Sequence, residues 1–302
     1  MTAAEQKGPD WWANRASVIL RTTLGEERFP IDVEQLALEW TPMLDPAAPI
    51  TKVAARELEG CDGALVDARH RGKGWGIAYA KGMTEGRRRF TIGHELGHYL
   101  LHRHRAPEGG FNCRQEDMAT WDHERSPQES EANRFAARLL MPLDDLRRQI
   151  PPREAVSLEK FGRLADERYG VSLTACVLQW LEITERRAIL VVSREGYVLW
   201  AKSSKPALRS GAFFRTRSAS PLSVPPASPA AGGWLDPGSE SIPHSAGVWL
   251  DEPVVEEVIL SDLYDLGISL LHLGDHGGHD LDEPDELPDA LDLMNTRSGV
   301  LS

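Results

Sequence analysis

The 302-residue sequence has no uninterrupted apolar run of about 18 residues, the length that a membrane-spanning helix needs. Its beginning, MTAAEQKGPD, is polar and acidic and lacks the basic and then apolar pattern of a secretory signal peptide. Cysteine is also scarce. Cys61, Cys113 and Cys176 are odd in number and widely spaced, which indicates neither a disulfide framework nor a Cys-x-x-Cys metal clamp. We therefore expect a protein of the reducing cytoplasm that does not contact the membrane.

Positive charge is in deficit as well. Lys and Arg number 34 and Asp and Glu number 46, so the formal net charge is -12. Nucleic acids and anionic membranes are polyanions, and this balance disfavours non-specific binding to either. The length is sufficient for one large domain or two ordinary domains with a sizeable core.

The strongest motif in the chain is His-Glu-x-x-His, formed by His94, Glu95 and His98 in the segment RRRFTIGHELGHYLLHRH. The segment contains good helix formers and no proline. Because residues four apart lie about one turn above each other on a helix, both imidazole rings can reach one metal ion. Glu95 would then lie beside a metal-activated water as a general base. The pattern predicts a zinc site, although the same ligand types also accept manganese or cobalt.

A buried helix with two incidental histidines is the alternative interpretation of this motif. Gly93 and Gly97 argue against it, because two glycines weaken a purely structural helix and indicate that another segment packs closely on it. His102 and His104 do not qualify as further ligands. A continuous helix carries them about 12–15 Å along its axis from His94.

The third ligand is expected downstream, in the predicted helix PQESEANRFAARLLMP, with Ser126 as its cap and Pro127 in its first turn. Glu129 and Asn133 are four residues apart and share a face. The first offers a carboxylate to the metal, and the second offers an amide that could hold the other nitrogen of a histidine. Glu131 is the rival carboxylate, and we interpret it as a solvated charge on a different face.

HELGHYLLH followed some thirty residues later by ESEANRFAARLLMP resembles the paired motifs of the ImmA/IrrE family of bacterial zinc metallopeptidases. The resemblance implies a gluzincin-like site in which His94, His98 and Glu129 bind one zinc ion and Glu95 is the catalytic acid/base. It also implies a substrate class, helix-turn-helix repressors of the Xre type, whose cleavage relieves repression of stress-response or mobile-element genes.

The remaining pattern predicts an α+β fold. Residues 1–150 would form a zincin-like catalytic domain of helices and a small twisted sheet, and residues 151–186 a helix-turn-helix-like pair. Residues 187–274 would form a mainly β module, with a partly helical stretch over 256–273, and residues 275–302 an acidic disordered tail. The module could be a divergent counterpart of the GAF-like sensor domain that the resemblance implies.

Two further site features are expected. The strand Trp75, Gly76, Ile77 and Ala78 is our candidate for an exposed edge that pairs with an extended substrate, and an interior strand is the alternative. His123 or Tyr99 could stabilise the oxyanion that forms during peptide hydrolysis, although the place of Tyr99 in an apolar helix favours core packing.

Two other function classes compete with a zinc endopeptidase. The first is a regulator that binds a repressor without hydrolysing it. The second is a DNA-binding transcription factor with a structural metal. The second helix of the predicted pair argues against DNA binding, because residues 172–184 offer Gln179 but no Lys or Arg.

Overall fold

The computed structural model describes residues 7–105, 110–114, 126–216, 221–232, 241–261 and 265–275. The fold class over these residues is α+β, as the sequence predicts. The helices are α1 (Pro9–Leu24), α2 (Val33–Leu44), α3 (Glu85–His102), α4 (Pro127–Leu140), α5 (Leu143–Gln149), α6 (Leu158–Arg163), α7 (Leu173–Leu181) and α8 (Lys205–Arg209). The strands are β1 (Ile50–Arg56), β2 (Cys61–Asp67), β3 (Trp75–Ala80), β4 (Gly110–Arg114), β5 (Ala188–Arg194), β6 (Tyr197–Ser203), β7 (Ile242–His244), β8 (Val254–Ser261) and β9 (Leu266–Leu273). A π-helical turn, Leu164–Tyr169, follows α6. In the part of the chain described, no helix has the length and apolar character to cross a membrane.

Side-chain caps start the helices that carry the candidate site. The Thr84 hydroxyl accepts a hydrogen bond from the Arg87 amide at the start of α3. Ser126 accepts one from the Glu129 amide at the start of α4, where Pro127 occupies the first turn as predicted. Such caps satisfy amides that have no partner inside the helix, and each contributes about 1 kcal/mol.

The first sheet has the strand order β1-β3-β2-β4 among the described residues. Strand β3 pairs in parallel with β1 and antiparallel with β2, so it lies inside the sheet. The prediction that Trp75, Gly76, Ile77 and Ala78 form an exposed edge is therefore wrong. The physical reason is that β1, which precedes β2 in sequence, pairs with the outer side of β3, and local alternation does not reveal such a non-sequential pairing. Within the described residues, strand β4 is the edge next to β2.

Helices α3 and α4 pack closely through the two glycines of α3. A Cβ atom at Gly97 would lie 3.1 Å from Ala132 Cα and 3.1 Å from Phe135 Cδ1, and one at Gly93 would lie 3.4 Å from Ala136 Cβ. The expectation that another segment packs on these glycines is confirmed. The apolar core around this contact also includes residues of α1, α2 and the first sheet.

The helical pair α6 and α7 packs against the second sheet. This sheet is antiparallel, with the order β6-β5-β9-β8-β7. Trp180 and Leu181 of α7 share one buried cluster with Leu190 of β5 and Leu270 of β9. The mainly β character predicted for residues 187–274 is confirmed where the chain is described. The acidic tail, except for Asp275, lies outside the described residues.

The prediction of helix over residues 256–273 is wrong, because β8 and β9 form a paired ladder there. Glu256 explains part of the error. Its carboxylate is fully buried and accepts hydrogen bonds from Ser228, Ser269 and Trp249, with His244 Nε2 2.8 Å away. Glutamate favours helices, but the hydrogen-bond partners of Glu256 come from other segments of the chain. These partners hold Glu256 in a strand.

A buried carboxylate joins α5 to the π-helical turn that follows α6. Asp145 accepts hydrogen bonds from Arg168 at 2.6 and 2.7 Å, from the Tyr169 hydroxyl at 2.8 Å and from Arg148 at 2.8 Å. Burial alone would raise the pKa of Asp145, but these donors outweigh it and lower the pKa from 3.8 to about 2. The charged form is therefore favoured in the folded protein.

The Asp145 contacts should make stability depend on pH in the acid range. Because the pKa is lower in the folded than in the unfolded chain, the stabilisation is present above about pH 4 and is lost as the pH falls towards 2. We expect Asp145→Asn to lower the free energy of unfolding at pH 7, and the difference from the wild type to shrink at pH 3. Urea unfolding followed by tryptophan fluorescence measures both values. Asp166→Asn, at an exposed position, is the control. A difference that stays constant with pH would contradict this role of Asp145.

Candidate metal centre

His94, Glu95 and His98 lie on α3 and are fully buried. The two imidazoles occupy successive turns, with ring centroids 4.6 Å apart, and their Nε2 atoms approach to 2.9 Å. The ring of Phe111, on β4, stacks on His98 with a centroid distance of 4.7 Å. Helix periodicity therefore brings the two nitrogens together, and β4 covers one face of His98.

Helix α4 brings the third donor to this pair. Glu129 Oε2 lies 3.1 Å from His94 Nε2, and Glu129 Oε1 lies 3.3 Å from His98 Nε2. Ligand atoms of these three residues all lie within 4.8 Å of one another. The residues predicted to bind a metal are thus brought together by α3 and α4.

The donor set fits zinc in type and spacing. Two atoms bound tetrahedrally to zinc at about 2.0–2.1 Å lie about 3.3–3.4 Å from each other. The distances of 2.9, 3.1 and 3.3 Å between the donors are close to that value. Two imidazoles and one carboxylate also match the ligands of catalytic zinc sites, in which a fourth position stays open.

Asn133 holds the outer nitrogen of His94. Its Oδ1 lies 2.9 Å from His94 Nδ1, so the imidazole donates its Nδ1 proton to the amide oxygen and directs the Nε2 lone pair towards His98 and Glu129. This is the placement predicted from the spacing of Asn133 and Glu129. One helix therefore supplies both a candidate ligand and the group that orients another.

The outer nitrogen of His98 contacts a residue for which the sequence predicts no role. His98 Nδ1 lies 3.0 Å from His102 Nδ1, and His102 Nε2 lies 2.9 Å from Glu131 Oε2. Sequence spacing predicts a solvated charge at Glu131 and excludes His102 as a metal ligand. The signal that could have found the pair is the i, i+4 spacing of His98 and His102, which places one ring over the next.

The charges around the site suit a cation. Burial lowers the pKa of His98 to about 4, so its imidazole is neutral near pH 7. Burial acts in the same direction on His94, but its hydrogen bond to Glu129 and the charge of Glu95 outweigh burial and raise the pKa. Burial would raise the pKa of Glu129, but hydrogen bonds from both histidines hold it well below the usual range. The site thus presents a charged carboxylate beside a neutral imidazole, which favours the binding of a cation.

Glu95 lies against β2 at a glycine. A Cβ atom at Gly63 would meet Glu95 Oε1 at 2.6 Å and Thr91 Cγ2 at 2.6 Å. Side-chain space at this point of β2 is therefore occupied by the carboxylate of Glu95. The absence of a side chain at Gly63 allows the strand and the carboxylate to pack together.

The two oxyanion candidates have different outcomes. Tyr99 is fully buried in the core, and its hydroxyl donates to the Ala48 carbonyl at 3.0 Å, so the prediction that it could serve the reaction is wrong. The reason is its place on the core side of α3, where its ring packs against Trp75. His123 lies outside the described residues.

A protein-family model matches part of the chain. Residues 49–179 match the peptidase M78 family model, described as the IrrE N-terminal-like domain. The ImmA/IrrE resemblance predicted from the two motifs is confirmed over these residues. No curated protein matches the chain.

A solved structure, described as a Mycobacterium tuberculosis transcriptional regulator, has a similar fold. The TM-score is 0.51, and the alignment covers 88% of this chain and 76% of that chain. At 15% sequence identity this similarity concerns the fold alone.

The orienting role of Asn133 can be tested by metal affinity. Asn133→Ala removes the acceptor of the His94 Nδ1 proton, and we expect zinc to bind about 10–100-fold more weakly. Competition with a chromogenic chelator measures this affinity. Gln128→Ala, which removes another amide of α4, should leave it unchanged. Equal affinities of Asn133→Ala and the wild type would show that the contact does not orient a ligand.

Proposed function

Residues 49–179 form an IrrE N-terminal-like domain, and on this premise we propose that the chain is a zinc-dependent endopeptidase. The observation that carries the proposal is the convergence of His94, His98 and Glu129 beside the buried carboxylate of Glu95. Three protein ligands and an adjacent base are the groups that zinc-dependent peptide hydrolysis requires.

Each residue of the site would have a separate role in the reaction. His94, His98 and Glu129 would hold the metal. When bound, zinc supplies a Lewis acid that polarises the peptide carbonyl and makes a water molecule more acidic. Glu95 takes the proton from the attacking water and later delivers it to the leaving amine. Asn133 keeps the lone pair of His94 directed at the metal.

Strand β4 replaces β3 as the proposed docking edge for an extended substrate. In the described part of the chain it pairs with β2 alone, and its Phe111 ring stacks on His98. A peptide added to this edge would pass beside the metal ligands, held by main-chain hydrogen bonds. The position next to His98 supports β4 in this role.

A helix-turn-helix repressor of the Xre type is the proposed substrate. The resemblance to the ImmA/IrrE family implies this class, and a protein described as a transcriptional regulator shares the fold. Direct DNA reading by α7 is disfavoured, because Gln179 is buried and its amide donates to the Met141 carbonyl at 3.3 Å. The net charge of -12 also disfavours a DNA-binding role.

The proposed function can be tested with Glu95→Gln. The amide keeps the size of the side chain but cannot accept the proton, so we expect the variant to retain one zinc ion and to cleave at least about 100-fold more slowly. The assay incubates zinc-loaded protein with an Xre-type repressor encoded beside it and detects fragments by mass spectrometry. Full activity of the variant would refute the role of Glu95. Binding of the repressor by the wild-type protein without fragments would favour the non-hydrolytic regulator.

Gly63 offers a second test of Glu95. Because a Cβ atom there would meet the Glu95 carboxylate and Thr91, Gly63→Ala should displace the base. We expect a reduced cleavage rate constant with zinc content unchanged. Gly76→Ala, in β3, is the matched control, since the nearest atom to its added Cβ is at an ordinary contact distance of 3.6 Å. Equal activity of the two variants would show that Glu95 is not held where the mechanism needs it.

A further inference from the structure

His94, His98 and His102 form a row of three imidazoles, each four residues from the next along α3. The ring centroids of His98 and His102 lie 5.1 Å apart, and Phe111 stacks on His98. His98 is thus enclosed by candidate ligands at Nε2, by His102 at Nδ1 and by an aromatic ring on one face. The orientation of this ring depends on what its neighbours donate and accept.

The contacts allow one arrangement of protons when His98 serves as a ligand. His98 must keep the lone pair on Nε2, so its proton is on Nδ1 and faces His102 Nδ1 at 3.0 Å. His102 Nδ1 must then accept, which puts the proton of His102 on Nε2. That nitrogen lies 2.9 Å from Glu131 Oε2 and donates to it. With the opposite tautomer of His102, two N–H groups would face each other.

Burial makes the contact between His98 and His102 more important than the contact between His102 and Glu131. The side chain of His102 is only 4% exposed, whereas that of Glu131 is 49% exposed. Water can replace a hydrogen-bond partner at the surface but not in the interior. Loss of the acceptor at His102 therefore leaves the buried Nδ1–H group of His98 without a hydrogen bond. Because Glu131 is half-exposed, its loss would open a path for water to His102 Nε2, and water would replace the carboxylate as the acceptor.

We propose that His102 is a positioning residue of the metal centre, which fixes the tautomer and ring orientation of His98, and that Glu131 in turn fixes His102. This inference rests on the proposed function, because it assumes that His98 binds the metal. It adds to that function a histidine and a carboxylate outside the ligand set. The two candidate histidine ligands are then oriented by different means, His94 by a single amide and His98 by a relay.

The test compares two substitutions of nearly equal shape. His102→Leu removes the acceptor, whereas His102→Asn keeps an amide oxygen near the place of Nδ1, as Asn133 offers to His94. We expect His102→Leu to bind zinc about 10–100-fold more weakly than the wild type, and His102→Asn to recover most of the affinity. Glu131→Ala should weaken binding less than His102→Leu. His104→Leu, at the exposed histidine two residues further on, should bind like the wild type.

Zinc affinity is measured by chelator competition on the purified full chain, and thermal unfolding of the metal-free proteins shows whether each variant is folded. Unchanged affinity of His102→Leu overturns the inference while the metal centre stands. Affinity of His102→Asn as weak as that of His102→Leu overturns it too, because restoring the acceptor would then have no effect. Absence of zinc binding by the wild-type protein overturns both the metal centre and this inference.

Discussion

The close packing of α3 on α4 is the constraint on which the candidate site depends. Gly97 and Ala132 allow the two helices to approach until Glu129 reaches the nitrogens of His94 and His98. A larger residue at Gly97 would push the carboxylate away, since its Cβ would already lie 3.1 Å from α4. The same contact brings Asn133 and Glu131 to the outer nitrogens of the imidazole row.

The site could be predicted largely from the sequence because its spacings are local to two helices. The i, i+4 pairs His94 with His98 and Glu129 with Asn133 fix which side chains share a face, and the glycines of α3 indicate where the second helix packs. The relay through His102 to Glu131 was missed. The i, i+4 spacing of His98 and His102 indicates only its first contact, and the second contact, from His102 to Glu131, depends on the placement of α3 against α4.

The errors in the fold have the same physical origin. Strand β3 alternates as an edge strand would, but β1 pairs with it from outside the β2–β3 hairpin. Glu256 favours a helix by its propensity, yet Ser228, Ser269 and His244 satisfy its buried carboxylate only in the sheet. In both cases a partner distant in sequence decides the outcome. The local sequence pattern therefore predicts where helices and strands lie better than it predicts which of them pair with each other.

The central claim is that two imidazoles and one carboxylate from α3 and α4 bind a single zinc ion. X-ray absorption at the zinc edge on the loaded full-length protein tests it most directly. The account predicts one zinc per chain with about two imidazole nitrogens and one carboxylate oxygen at about 2.0–2.2 Å, and their loss in Glu129→Ala. Sulfur ligands at about 2.3 Å, or a signal unchanged in that variant, would contradict it.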